Sequence, residues 1–136
     1  MKVAVYGQTY AKEATQKAFE ILLEVLFNSK VETYIEEDFL NQQHSTLKNK
    51  TLVKSFKSLN DSYDLLISIG GDGTILRAIT YVRDLGIPIV GINTGRLGFL
   101  ATIQTDEIAN ALAQIFRGNY KISERSLLSV QTSPEH

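Results

Sequence analysis

The chain has 136 residues, enough for about one domain of ordinary size, and its 43% hydrophobic content can bury a real core. Fourteen basic side chains against fifteen acidic ones leave a net charge of −1, without the basic excess that marks nucleic-acid or membrane-surface partners, so neither is expected. No cysteine is present for disulfides or thiolate metal sites, no apolar run nears the roughly 20 residues of a membrane span, and Met1–Tyr6 is too short and strand-like for a signal peptide; a soluble cytoplasmic domain is expected.

Val3 to Tyr6 reads as a short buried strand closed by Gly7. Ala11, Ala14, Ala18, Ile21, Leu22, Val25 and Leu26 then recur at helical spacing, which predicts one apolar face on a helix of about five turns. Val31 to Ile35 is a second strand candidate, rich in β-branched and aromatic residues. From Glu36 to Tyr63 the chain is polar, and short helical pieces are expected, the later one carrying Leu52, Phe56 and Leu59. Within it His44 reads as solvated, as does the acidic run Glu36-Glu37-Asp38.

Leu65-Leu66-Ile67-Ser68-Ile69 has almost no polar alternation, so both faces of this strand should be covered, as in a parallel sheet. It runs into Gly70-Gly71-Asp72-Gly73-Thr74, after which Ile75, Leu76, Ile79 and Val82 continue at helical spacing. Gly86-Ile87-Pro88 should stop that helix, and Ile89-Val90-Gly91-Ile92 makes the next buried strand. A glycine-punctuated stretch, Asn93 to Leu100, leads to a last helix that starts near Thr105-Asp106 and ends at Gly118. Tyr120 to Val130 reads as a strand or two. Strands alternating with helices predict a doubly wound, mostly parallel α/β sheet with right-handed crossovers. An unpaired final strand would be an exposed edge, so the expected organisation is an α/β domain over 1–118 and the first strand region of a truncated β-rich domain over 119–136.

The glycine–aspartate turn carries the chemistry. A strand ending in glycines at a helix N-terminus is an anion site, because free amides point outward and the helix dipole favours negative charge. In open α/β sheets ligands sit beyond the carboxyl ends of the strands, where this turn lies. There is no Gly-x-x-x-x-Gly-Lys-Ser/Thr, and Gly7-Gln8-Thr9-Tyr10 after the first strand is not Gly-x-Gly-x-x-Gly, so neither a P-loop nor a conventional dinucleotide turn is supported. A carboxylate inside a phosphate cradle repels the ligand unless it has a task. Asp72 can orient and deprotonate an attacking hydroxyl or hold a metal against phosphates. The pentapeptide alone leaves a third reading open, in which Asp72 or Thr74 simply caps the helix.

Gly70-Gly71-Asp72-Gly73-Thr74, followed by Gly91-Ile92-Asn93-Thr94-Gly95-Arg96-Leu97-Gly98-Phe99-Leu100, resembles the ATP-NAD kinase family. The first motif is shared with phosphofructokinases and diacylglycerol-type lipid kinases, and the second is more particular to NAD kinases. Glu124-Arg125-Ser126-Leu127-Leu128 is similar to the family's entry into its second domain, so the likeness runs from Leu65 to Val130. The resemblance implies transfer of the terminal phosphate of ATP, with Mg²⁺ or another divalent cation, to the 2′-hydroxyl of the adenosine ribose of NAD, giving NADP. Asp72 would be the general base, with Gly71, Gly73 and Thr74 holding phosphates. Arg77, one helical turn beyond Thr74, would either neutralise phosphate charge or stand solvated. Phe99 would lie against the adenine or belong to the core. Asn93 would turn the strand end or contact ligand. The family's ribose-gripping Asn-Glu/Asp pair and a further glycine-rich segment would follow His136, so the 136-residue chain alone is expected to have little kinase activity. Full-length members of the family are dimers or tetramers, which implies a homo-oligomer. The competing functions are a lipid or sugar kinase with the same turn, and a nucleotide-binding module that does not catalyse.

Overall fold

The computed structural model describes residues 1–7, 13–43, 53–95, 98–122 and 128–130. Ala11, His44, Leu52, Arg96, Leu97, the Gln8-Thr9-Tyr10 turn and Glu124 to Leu127 fall outside the described residues. Six strands form one parallel sheet: β1 (Lys2–Gly7), β2 (Glu32–Glu36), β3 (Lys54–Phe56), β4 (Leu65–Gly70), β5 (Ile89–Asn93) and β6 (Ile103–Gln104). Their order is β3-β2-β1-β4-β5-β6. The chain builds outward from β1 to β3, returns to the far side of β1 as β4, and builds outward again. β1 and β4 are therefore direct neighbours, with Val3 opposite Leu65 and Gly7 opposite Ile69. Their carboxyl ends form the switch point of the sheet, where doubly wound proteins open a crevice.

Strand periodicity decides which helix covers which face. Val3, Val5, Leu65, Ile67, Ile69, Val90 and Ile92 project into a cluster with Phe19, Leu22 and Leu26 of α1 (Glu13–Asn28) and with Ile108 and Leu112 of α4 (Ile108–Phe116). Ala4, Tyr6, Leu66 and Ile89 project the other way, onto Ile75, Ala78 and Val82 of α3 (Asp72–Val82). With helices on both faces, every residue of β4 is buried, which explains its unbroken apolar run. A short 3₁₀ turn, Thr105–Glu107, leads into α4. Beyond α4 the Gly118 N–H donates to the Ile115 carbonyl at 3.0 Å and the Asn119 N–H to that of Gln114 at 2.9 Å, with Gly118 at φ 83°. This left-handed glycine stop satisfies the last carbonyls of the helix. β7 (Tyr120–Ile122) and β8 (Leu128–Val130) then pair antiparallel in a separate two-stranded sheet.

Three stretches differ from expectation. Lys54–Phe56 is a strand, paired parallel to Tyr34–Glu36, and not a helical piece. Phe56 and Leu59 still share the α3-side core, so their three-residue spacing reflects common burial rather than a helix. The two-residue β6 is too short to leave a pattern. The acidic run is not simply solvated: Glu36 is 4% exposed, and its carboxylate accepts from the Asp38 and Phe39 N–H groups at 3.0 Å each, capping α2 (Glu37–Asn41). That cap seats the Phe39 ring over the end of β1, where a Cβ on Gly7 would strike it.

Gly91 in β5 marks a second close approach. A Cβ there would run into the Ile75 side chain and lie 2.8 Å from the Ala101 Cα. The side chain can turn aside, whereas the backbone cannot do so cheaply. Gly91→Ala should therefore lose roughly 1–3 kcal/mol in urea denaturation. Adding Ile75→Val should recover only part of that loss, because the clash with Ala101 persists.

Candidate functional site

β4 ends at Gly70 with φ 153°, a conformation that side chains rarely tolerate. The chain turns through Gly71 directly into α3, whose first residue is Asp72. Nothing lies within 4 Å of where a Cβ on Gly71 or Gly73 would sit, so the turn is open on that side. A helix start at the switch point leaves first-turn amides without helical partners, an arrangement suited to an anion. Thr74 is 1% exposed, and its hydroxyl accepts weakly from the Gly71 N–H at 3.4 Å, fastening the turn from within.

Asp72 is half-buried and reaches across to a loop nearly 30 residues away. Its Oδ2 accepts from the Phe99 N–H at 2.9 Å. Its Oδ1 accepts from the Leu100 N–H at 2.9 Å and from the Ala101 N–H at 3.0 Å. The amides of Ala101, Phe99 and Leu100 hold the carboxyl below its ordinary value of 3.8, against a smaller opposing push from desolvation. A carboxylate offers about four acceptor positions. Three are taken, which leaves one on Oδ2.

The rest of the loop is tied by Asn93, itself 5% exposed. Its Nδ2 donates to the Ala101 carbonyl at 3.0 Å and its Oδ1 accepts from the Gly95 N–H at 2.8 Å. Asn93 thus turns the end of β5 and joins the start of the loop to its finish. Gly98 allows the loop to meet Asp72, since a Cβ on it would lie 2.8 Å from Oδ2 and overlap the rest of the carboxylate. Phe99 does not belong to the core: it is 93% exposed, with its backbone held and its ring in the open. Arg77 stands exposed one helical turn beyond Thr74. All seven residues singled out in the sequence therefore sit on the turn, on α3, at the end of β5 or on the loop that follows it. The steric role of Gly98 and the amides of Leu100 and Ala101 were not among them. A glycine directly before an aromatic residue was the available signal for the first, and backbone donors leave none. An open groove of about 580 Å³ lies on the other side of Asn93, lined by Lys17, Thr94, Gln104 and Asp106 among others; Asp72 is not on its wall.

A glycine-lined helix start at the switch point of a 3-2-1-4-5-6 sheet defines a doubly wound α/β domain. The model of the ATP-NAD kinase N-terminal domain matches residues 3–120. An NAD kinase of Christiangramia forsetii is 49% identical over 98% of this chain and 46% of its own length, and one of Flavobacterium johnsoniae is 44% identical over the same shares. The chain belongs to the ATP-NAD kinase family. It spans about half the length of the curated relatives that it matches. Among solved structures, a yeast NADH kinase complexed with NADH superposes with a TM-score of 0.71 over 89% of this chain and 39% of its own, at 18% identity, a likeness of fold.

The Asp72 contacts have a pH signature. A carboxyl whose folded pKa is depressed contributes stability above its unfolded value and loses it as the pH falls through the folded one. The pH-dependent part of the stability gap between wild type and Asp72→Asn should therefore be constant from neutral pH down to about pH 5. It should close only as the pH drops below 3.8, as urea denaturation across a pH series would record.

Proposed function

We propose that the full-length protein is an NAD kinase, moving the terminal phosphoryl group of ATP to the 2′-hydroxyl of the adenosine ribose of NAD. The observation that carries this reading is the single acceptor position left on Asp72 Oδ2, beside an open turn of helix-start amides. One acceptor suits one hydroxyl. As the hydroxyl oxygen bonds to the γ-phosphorus, the bond from that phosphorus to the β,γ-bridging oxygen breaks, ADP leaves, and the hydroxyl proton passes to Oδ2. A carboxylate held below its ordinary pKa is a weak base. Phosphoryl transfer through a loose transition state needs little proton removal before the phosphorus–oxygen bond has largely broken. Asp72 then acts chiefly by orienting the hydroxyl, with proton uptake late.

Gly71 and Gly73 hold phosphate oxygens, Gly73 through its amide and Gly71 by leaving the approach open, and Thr74 keeps the turn in shape. Arg77 adds positive charge at the rim. Phe99 offers an exposed aromatic face to the adenine, and Asn93 maintains the loop that presents it. A divalent cation, Mg²⁺ by preference, arrives with ATP and is held mainly by its phosphates, as is usual for that ion. Among the described residues no group of three or more His, Asp or Glu side chains comes together. The family resemblance further supports a boundary near residue 118, a homo-oligomeric full-length enzyme of two or four subunits, and a cytoplasmic setting. No described helix is long and apolar enough to cross a membrane.

Full-length protein supplied with ATP, Mg²⁺ and NAD should form NADP, read by a coupled NADP-specific dehydrogenase. Asp72→Asn should lower kcat by about 10²–10⁴-fold, the span of general acid–base contributions. Absence of NADP formation by the wild type removes the kinase assignment. A nearly full rate in the Asn variant makes Asp72 a structural residue only.

A further inference from the structure

Phe99 has an unusual status for a large apolar side chain. At 93% exposure its ring has no packing to fix where it points, so its position is set by its backbone. That backbone N–H donates to Asp72 Oδ2, and the next two amides donate to Oδ1 of the same carboxylate. Asp72 is the first residue of α3, a helix packed into the sheet through Ile75, Ala78 and Val82. One side chain on a rigid element therefore sets the Phe99 main chain, and with it the reach of the ring, relative to the glycine turn. Gly98 completes the device. The carboxylate cannot swing away from a Cβ at 98 without giving up three amides, so the loop itself would have to move.

We propose that Asp72 is the positioning residue for Phe99, a role separate from its contact with the substrate hydroxyl, and that Gly98 is the residue that permits it. The proposal rests on the reading of Phe99 as the adenine-facing group. It predicts that the affinity of the adenine subsite is set from Asp72 through three backbone hydrogen bonds. Gly98→Ala separates the two roles, because it keeps the carboxylate and disturbs only its seat.

The test uses full-length wild type, Gly98→Ala, Asp72→Asn and Phe99→Ala, each first checked for cooperative melting. Hydrogen exchange over residues 98–102 reads the loop without reference to catalysis. In Gly98→Ala exchange should accelerate about ten- to a hundredfold at Phe99, Leu100 and Ala101, the scale of a lost hydrogen bond to a charged group. In Asp72→Asn the side-chain nitrogen cannot accept, so one or more of the three amides should exchange faster by a similar factor. Gly98→Ala should raise the KM for NAD about tenfold while kcat falls less than about threefold, the split expected when ground-state and transition-state binding are lost together. Phe99→Ala should raise KM alike, and the double variant should be no worse than either single one.

Exchange within twofold of wild type in both Gly98→Ala and Asp72→Asn would overturn the proposal. So would additive KM penalties in the Gly98–Phe99 cycle. If the wild type forms no NADP, the kinase reading fails on its own, and the exchange pattern still decides whether Asp72 holds the loop.

Discussion

Three backbone N–H groups converging on one carboxylate hold the candidate site together. Asp72 and the 99–101 amides join the two glycine-rich segments across nearly 30 residues of chain. An ionised acceptor makes these bonds stronger than neutral ones, and each also satisfies a loop amide that would otherwise need water. The nearby glycines follow from this. Gly98 lets the loop approach the carboxylate, and Gly91 lets β5 lie beneath Ala101 and Ile75. Asn93 closes the same ring from the opposite end by binding the Ala101 carbonyl. The depressed pKa of Asp72 is a consequence of the same contacts. It lets the joint stay ionised further into acid than an ordinary carboxylate would.

The sheet gives this joint its place. Because β1 and β4 are neighbours while their crossovers run to opposite faces, the end of β4 lies where doubly wound sheets open a crevice. The glycine turn lies at that end. Membership of the ATP-NAD kinase family agrees with the proposed role of this turn, since ligands of open α/β sheets lie at the carboxyl edge.

Much of the fold could be read from periodicity. The runs around Val3, Leu65 and Ile89 are strands, and the spacings of Leu22, Ile75 and Leu112 mark helices, because burial on a defined face leaves a period in the residues. Lys54–Phe56 was misread for the same reason: Phe56 and Leu59 lie three apart, and burial under α3 imitates a helical face when the strand is only three residues long. Asp72, Asn93 and Phe99 were legible as a group. The sequence left Phe99 between core and surface, since an aromatic beside a leucine fits both. Its exposure follows from contacts to its main chain. Asn93 likewise turned out to spend its amide on the loop. Backbone donors are common to nearly all residues, so the bonds that assemble this site leave almost no trace in composition.

The Phe39 ring above Gly7 bears on which strand end a ligand can reach. A sheet with this strand order is the scaffold on which many proteins seat a dinucleotide at the first glycine turn, with an acidic residue at the end of the second strand reaching the ribose. Here that acidic position, Glu36, is turned inward to cap α2, and the helix so capped lays an aromatic plug on the end of β1. With Phe39 there, the end of β1 is closed at Gly7, and the candidate site lies one strand along, at Gly70. Restoring the first turn by inserting glycines would not reopen it, because the plug is part of the main core and its removal would leave a hole where Phe19 now packs edge-on against it.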